Sequence, residues 1–405
     1  MQVTKFFSKA AALAAGLLLF GGAHAQLDSS FLGPRLVAED VRIPAPGGYE
    51  VATTILRPEG KGPFGAVVLN HGVAGSEEER AHESSEIFLA TAAVFARRGY
   101  VVVMPLRRGF GATGGEMAED AGPCSNPDYT HAEQNAADDV MAAYDYARRL
   151  PYVDGNRMIL AGQSGGAIVS IVTAARHPQG LLAVLSFAGG RGGNPDLRPG
   201  VPCAVEAVAK VFDMLGKEVK VPVLFNYAAN DQYFNEDTTR LWYGRFEKAG
   251  GNGEYVLQPA FGKDGHYLFS DLVGVRYWLP TVEHFFGEHR IAFERLDAGD
   301  GAPLLAMAKL PNVKSESCKA LYRVFLEAPG PRAYAVSEDG RCGFAGNTRN
   351  ANDLAMRQCR KASGGACQLY AVDGEVVWKQ PAPAETLQAA AKPAPTASMG
   401  ATEKK

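Results

Sequence analysis

The sequence predicts an α/β fold, a mostly parallel sheet covered by helices on both faces. Three observations carry this. From Asp40 to about Phe286, short β-branched runs alternate with helical patterns. No internal repeat interrupts that alternation. Residues 162–166 read Gly-Gln-Ser-Gly-Gly, placed between an apolar run (158–161) and a small-residue helix pattern (167–176). A strand that turns sharply into a helix at a Gly-x-Ser-x-Gly pentapeptide presents the serine hydroxyl clear of its own backbone.

Two amino-terminal strands come first, near 40–43 and 49–56, joined at Pro46-Gly47-Gly48, so an antiparallel hairpin is expected. Strands at 66–69 and 100–104 follow, with a helix over 84–98 between them. A helix over 131–150 leads to the strand that carries the pentapeptide. Beyond it, 182–187, 221–227 and 254–257 read as strands, 237–249 as a helix and 278–286 as a closing helix. The Gly/Pro-rich stretch from Gly189 to Lys220, with its amphipathic run 205–215, fits either a small cap or a crossover helix with a long loop.

The first 25 residues read as a secretory leader: Lys5 and Lys9, an apolar core over 10–20, then Ala23-His24-Ala25 as a cleavage signal. That predicts a periplasmic or secreted protein with no membrane span in the mature chain, since no later run reaches the roughly 20 apolar residues a span needs. Loss of the leader takes the formal charge from −3 to −5. A mildly acidic chain without basic runs argues against nucleic-acid and anionic-membrane partners. After Gly299-Asp300-Gly301 the character changes, and 314–379 reads as a separate α+β unit of about 65 residues, a size that commonly needs covalent staples. Residues 380–405, rich in Pro, Ala, Thr and Lys, read as a disordered tail. The expected organisation is therefore leader 1–25, main domain 34–295, small domain 314–379 and tail 380–405.

Six cysteines in an exported chain favour disulfides. Sequence leaves the connectivity open. The expectation pairs Cys124 with Cys203, both in Gly/Pro-rich loops, leaving Cys318 with Cys342 and Cys359 with Cys367 as local staples. No Cys-x-x-Cys or paired-His spacing supports a metal, and no cofactor is expected.

A serine needs a base to take its proton and an acid to orient that base, in the chain order Ser, acid, His for this architecture. Of eight histidines, His266, His284 and His289 follow both Ser164 and the next strand. His266 lies in a glycine-containing loop (263–267) and is the expected base, whereas His284 and His289 sit in or just after the closing helix. Asp231, at the carboxyl end of the 221–227 strand, is the expected acid; Glu236 and Asp237 read as helix cap and first turn, and Asp264 as a rival close to His266. The expected oxyanion donors are the Gly165 N–H and the Val73 N–H, the latter from Asn70-His71-Gly72-Val73, where His71 shapes the loop. Gly109-Phe110-Gly111-Ala112-Thr113-Gly114 matches a dinucleotide fingerprint, but no helix opens until about His131, and Glu116, Glu119 and Asp120 would repel a pyrophosphate.

These residues carry a resemblance. Asn70-His71-Gly72, Arg107-Arg108-Gly109-Phe110-Gly111 with Gly114-Gly115, the pentapeptide at Ser164, Asp231 and His266 stand in the order of the α/β-hydrolase superfamily. More narrowly, the region from about 35 to 290 resembles its dienelactone-hydrolase-like and prolyl-oligopeptidase-like branch, with Thr113 where serine is usual. The resemblance implies an eight-stranded sheet with Ser164 as nucleophile, Asp231 as acid and His266 as base. Dienelactone hydrolases proper use cysteine, so serine argues for a general ester or peptide hydrolase. The end of the chain is similar to a small domain of unassigned function in exported bacterial proteins. The leading expectation is a carboxylic-ester hydrolase acting on small-molecule esters. A peptidase is the enzymatic rival, disfavoured because the hydrolase pattern begins almost at the mature end, leaving no amino-terminal propeller. A cell-envelope binding protein with a vestigial elbow is the rival of another class.

Overall fold

A computed structural model describes residues 36–296, 310, 313 and 315–378. The expected leader, the Gly299-Asp300-Gly301 boundary and the carboxyl-terminal tail lie outside the described residues.

The main sheet starts with β1 (Leu36–Ala45) and β2 (Tyr49–Pro58), an antiparallel hairpin. Then come β3 (Phe64–Asn70), a short α1 (Glu77–Ala81), α2 (Leu89–Ala96) and β4 (Tyr100–Pro105). The helix expected over 84–98 is split: a 3₁₀ turn at Ser85–Phe88, capped by Ser84, precedes α2, all eight residues of which are buried. α3 (Tyr129–Arg149) begins at Asp128, whose carboxylate accepts from the His131 N–H at 3.0 Å. β5 (Val153–Gln163) leads into α4 (Gly165–Ala174), followed by β6 (Leu181–Phe187), α5 (Val205–Glu218), β7 (Val223–Ala228), α6 (Glu236–Lys248), β8 (Gly253–Gln258) and α7 (Val275–Glu288).

The strand order is β1-β2-β4-β3-β5-β6-β7-β8, parallel from β4 to β8. β4 and β7 are buried along their whole length, as central parallel strands covered on both faces must be. Two apolar cores flank the sheet. One joins it to α3, α4, α5 and α6 through Val140, Ile168, Phe212 and Trp242. The other joins it to α2 and α7 through Phe95, Trp278 and Phe286. α5 packs into the first of these through Val208, Phe212 and Leu215, so the amphipathic run 205–215 is a crossover helix between β6 and β7, preceded by a long loop.

A second, antiparallel sheet of order β10-β9-β11-β12 uses β9 (Ala333–Ser337), β10 (Cys342–Ala345), β11 (Cys367–Val372) and β12 (Glu375–Val376), with α8 (Glu316–Glu327) and α9 (Ala351–Ser363) packed against it. Disulfides join Cys318 to Cys342 and Cys359 to Cys367 here, and Cys124 to Cys203 in the main unit. The small unit is tied to the large one by charge. Arg98 grips both Glu327 carboxylate oxygens at 2.9 and 3.0 Å, and Arg295 reaches Glu327 Oε1 at 2.9 Å. Arg97 donates to the Glu327 and Ala328 carbonyls at the end of α8, where a cation is favoured. No helix among the described residues is long and apolar enough to cross a membrane.

Candidate active site

Ser164 stands where β5 turns into α4, with φ 58° and ψ −126°, a conformation that costs a non-glycine residue about 1–3 kcal/mol. Its neighbours enforce the turn. A Cβ on Gly162 would meet the Gly166 carbonyl oxygen at 2.2 Å, and one on Gly166 would meet the His71 carbonyl oxygen at 2.2 Å. Both glycines are therefore sterically required. The Ser164 N–H donates to Phe187 O at 2.9 Å, fastening the turn to β6. From Met158 to Ala174, Ser164 alone is not buried. Among the described residues no hydrogen bond is made by its hydroxyl, which leaves Oγ uncommitted.

The loop after β3 lies directly against this serine. A Cβ on Gly72 would come within 3.2 Å of Ser164 Cβ, and one on Gly165 would strike Val73 Cγ2 at 2.5 Å. His71 is buried and shapes the loop through both ring nitrogens. Nδ1–H donates to Gly72 O at 2.8 Å, and Nε2 accepts from the Arg107 N–H at 3.1 Å. Burial, reinforced by the Arg107 guanidinium, holds His71 well below the usual histidine range, so the ring is neutral, as this bonding requires.

Asp231 and His266 come together from the loops after β7 and β8. His266 Nδ1–H is 3.1 Å from both Asp231 carboxylate oxygens. Asp231 Oδ1 also accepts from the Tyr233 and Phe234 N–H groups at 2.8 and 3.0 Å, so its orientation is fixed independently of the imidazole. The Tyr233 ring stacks on the imidazole at 4.0 Å. A Cβ on Gly265 would strike Ala228 Cβ at 2.5 Å, so glycine lets the histidine loop close on the end of β7. Gln163, next to Ser164, donates to the His266 carbonyl at 2.8 Å and ties that loop to the elbow. Nothing in the pentapeptide pattern pointed to this bond.

The rival residues have other tasks. Asp264 accepts from the His266 and Gln232 N–H groups at 2.9 and 3.0 Å, acting on backbone. Glu236 and Asp237 lie in the first turn of α6, capped by Asn235. His284 is within α7 and His289 closes it. The glycine-rich loop opens no α-helix: Gly111–Thr113 is a three-residue 3₁₀ turn, and the Gly109 N–H bonds back to Gly114 O at 2.7 Å.

That loop instead supplies what sequence reading missed, a buried chain of charge beside the elbow. Arg107 Nε donates to Glu119 Oε1 at 2.6 Å; Arg191 Nη1 donates to Glu119 Oε2 at 2.9 Å and its Nη2 to Glu119 O at 2.8 Å. Arg191 Nη1 also lies 2.9 Å from Glu133 Oε1, without the directional geometry of a hydrogen bond. Burial outweighs the nearby arginines and pushes Glu133 up to about 7. Burial opposes the Arg191 charge, but Glu133 and Glu119 outweigh it and hold the guanidinium cationic. Among the described residues no group of three or more His, Cys, Asp or Glu side chains is arranged to hold a metal.

Residues 86–189, which include the elbow, match the prolyl oligopeptidase family model. Among solved structures, a Klebsiella pneumoniae protein provisionally named a dienelactone hydrolase is 18% identical, with 62% of this chain and 99% of that one covered and a TM-score of 0.42. A Pyrococcus furiosus esterase is 16% identical, with 62% and 90% covered and a TM-score of 0.44. A Pyrococcus horikoshii acylaminoacyl peptidase is 15% identical, with 65% and 43% covered and a TM-score of 0.43. No curated protein matches the chain in sequence. Strand order and elbow together give the chain an α/β-hydrolase fold, and residues 86–189 are similar to the prolyl oligopeptidase family.

Proposed function

We propose that the protein is an exported carboxylic-ester hydrolase whose triad is Ser164, His266 and Asp231. Ser164 Oγ attacks the ester carbonyl carbon while His266 Nε2 takes its proton. The tetrahedral oxyanion is met by the Val73 and Gly165 N–H groups, and collapse expels the alcohol, protonated by His266. Water, activated by the same imidazole, then releases the acid and restores Ser164. Asp231 holds the Nδ1–H tautomer and stabilises the imidazolium. The observation that carries this reading is the Asp231–His266 pair, 3.1 Å apart and tied through Gln163 to a serine of positive φ. In the same reading, 34–295 is the hydrolase domain and 314–379 an accessory domain. Export is supported by the leader pattern at 1–25 and by the three disulfides.

Hydrolysis of short-chain p-nitrophenyl esters tests the proposal. Asp231→Asn is expected to lose roughly 10⁴-fold in kcat, and Ser164→Ala to fall to the residual rate of the oxyanion site alone. Wild-type rates in Ser164→Ala would overturn it. Aminoacyl-amide turnover as fast as ester turnover would move the assignment to the peptidase reading.

A further inference from the structure

We propose that Arg107 and Glu119 are positioning residues for the oxyanion donors, and that the glycine-rich loop after β4 exists to deliver them. The inference rests on the serine-hydrolase reading and goes beyond it, because neither side chain touches the reacting atoms.

Arg107 is completely buried and donates to two consecutive carbonyls, from Nη1 to His71 O at 2.9 Å and from Nη2 to Gly72 O at 3.1 Å. The Gly72 oxygen also accepts from His71 Nδ1–H, and the Arg107 backbone N–H completes the set at His71 Nε2. A peptide group is planar and trans, so its C=O and N–H point in opposite directions. Holding Gly72 O toward Arg107 therefore turns the N–H of the same peptide, that of Val73, the other way. Among the described residues none accepts a hydrogen bond from the Val73 N–H. Arg107 thus aims one proposed donor without contacting it.

Glu119 carries the alignment to the second donor. Its two oxygens bridge Arg107 Nε and Arg191 Nη1, and a Cβ built on Gly165 would lie 3.4 Å from that same Nη1. One chain of buried charge thus runs from the Gly72 carbonyl to the start of α4. The Cys124–Cys203 disulfide joins the two loops that carry Glu119 and Arg191. Donors held from behind by the buried Arg107 and Glu119 need no reorganisation as charge develops, which is the condition under which oxyanion stabilisation is largest. Geometry is decisive here: a displacement of about 1 Å costs on the order of 10²-fold in rate.

The test uses the full chain with Arg107→Met, Arg107→Lys and Glu119→Gln. Thermal unfolding and circular dichroism report folding, and three readouts report the site: kcat and KM on a p-nitrophenyl ester, the rate of phosphonylation by a fluorophosphonate, and inhibition by a trifluoromethyl ketone, which forms a tetrahedral adduct. Arg107→Met and Glu119→Gln are expected to lose roughly 10- to 100-fold in kcat, with KM changed less than about threefold. Ketone affinity should fall in step with kcat/KM. Arg107→Lys, a point donor able to serve one carbonyl, should fall between wild type and Arg107→Met. The midpoint of the pH–rate profile should not move, because the Asp231–His266 pair is untouched. Folded variants with wild-type kcat and ketone affinity would overturn the proposal; if Arg107→Met does not fold, Glu119→Gln decides alone. A wild type that neither hydrolyses the ester nor takes up the fluorophosphonate would instead sink the serine-hydrolase reading, and this inference with it.

Discussion

Two buried arginine–glutamate clusters organise this molecule, and they differ in what their remaining N–H groups hold. Beside the elbow, Glu119 stands between Arg107 and Arg191, with Glu133 as a second buried carboxylate. At the junction with the small sheet, the buried Glu327 carboxylate faces Arg98 and Arg295, with Arg97 at its backbone carbonyl and the half-exposed Glu283 also bound to Arg98. In the first cluster Arg107 holds the loop carbonyls of His71 and Gly72 and Arg191 that of Glu119; the arginines of the second hold carbonyls at the end of α8. The same chemistry thus fixes a loop beside the elbow in one region and joins the end of α8 to the main unit in the other. Their buried carboxylates differ as well. Burial pushes Glu133 up to about 7 against the pull of Arg191 and Arg107, whereas burial of Glu327 is outweighed by Arg98 and Arg295, which bring it down to about 2.

Removing the buried carboxylate of the docking cluster is the sharpest way to break this comparison. Glu327→Ala removes the buried carboxylate that Arg98 and Arg295 share, an expected loss of about 3–5 kcal/mol in urea unfolding. Ester turnover by the protein that remains folded should be retained. A comparable loss of kcat in folded Glu327→Ala would show that the two clusters are not separate devices.

Opposite pH dependences come next. Glu327 is depressed in the fold, so its contribution is complete above its unfolded value near 4.5 and is lost as pH falls through about 2, amounting to about 3 kcal/mol. Glu133 is raised, so its contribution is complete below about 4.5 and is lost as pH rises through about 7. Unfolding free energies measured from pH 3 to 8 should therefore lose the alkaline decline in Glu133→Gln and part of the acid decline in Glu327→Gln. The same slope in a variant as in wild type would remove that residue from the account.

The parts legible in the sequence were those with local signatures. Continuous apolar runs such as 100–104 announce buried parallel strands, and Gly162 and Gly166 flank a serine whose turn excludes any Cβ. Asp231 and His266 could be singled out because each follows a strand in a short loop. The positioning chain had no local sign. Arg107 and Arg191 meet Glu119 across 12 and 72 residues, and nothing in the acidic stretch around Glu119 marks that one carboxylate for the interior. A lone arginine in a glycine-rich loop, as at Arg191, was the one clue available. The run 205–215 left cap and crossover open because an amphipathic helix suits both; its packing on α6 decides for crossover.

The central claim is that Ser164 is the nucleophile of a working hydrolase. Its most direct test is to incubate the protein with a fluorophosphonate and locate the adduct by peptide mass spectrometry. The account predicts one phosphonyl group per chain, on the peptide containing Ser164, and none in Ser164→Ala. An unlabelled wild type, or equal labelling of Ser164→Ala, would contradict it.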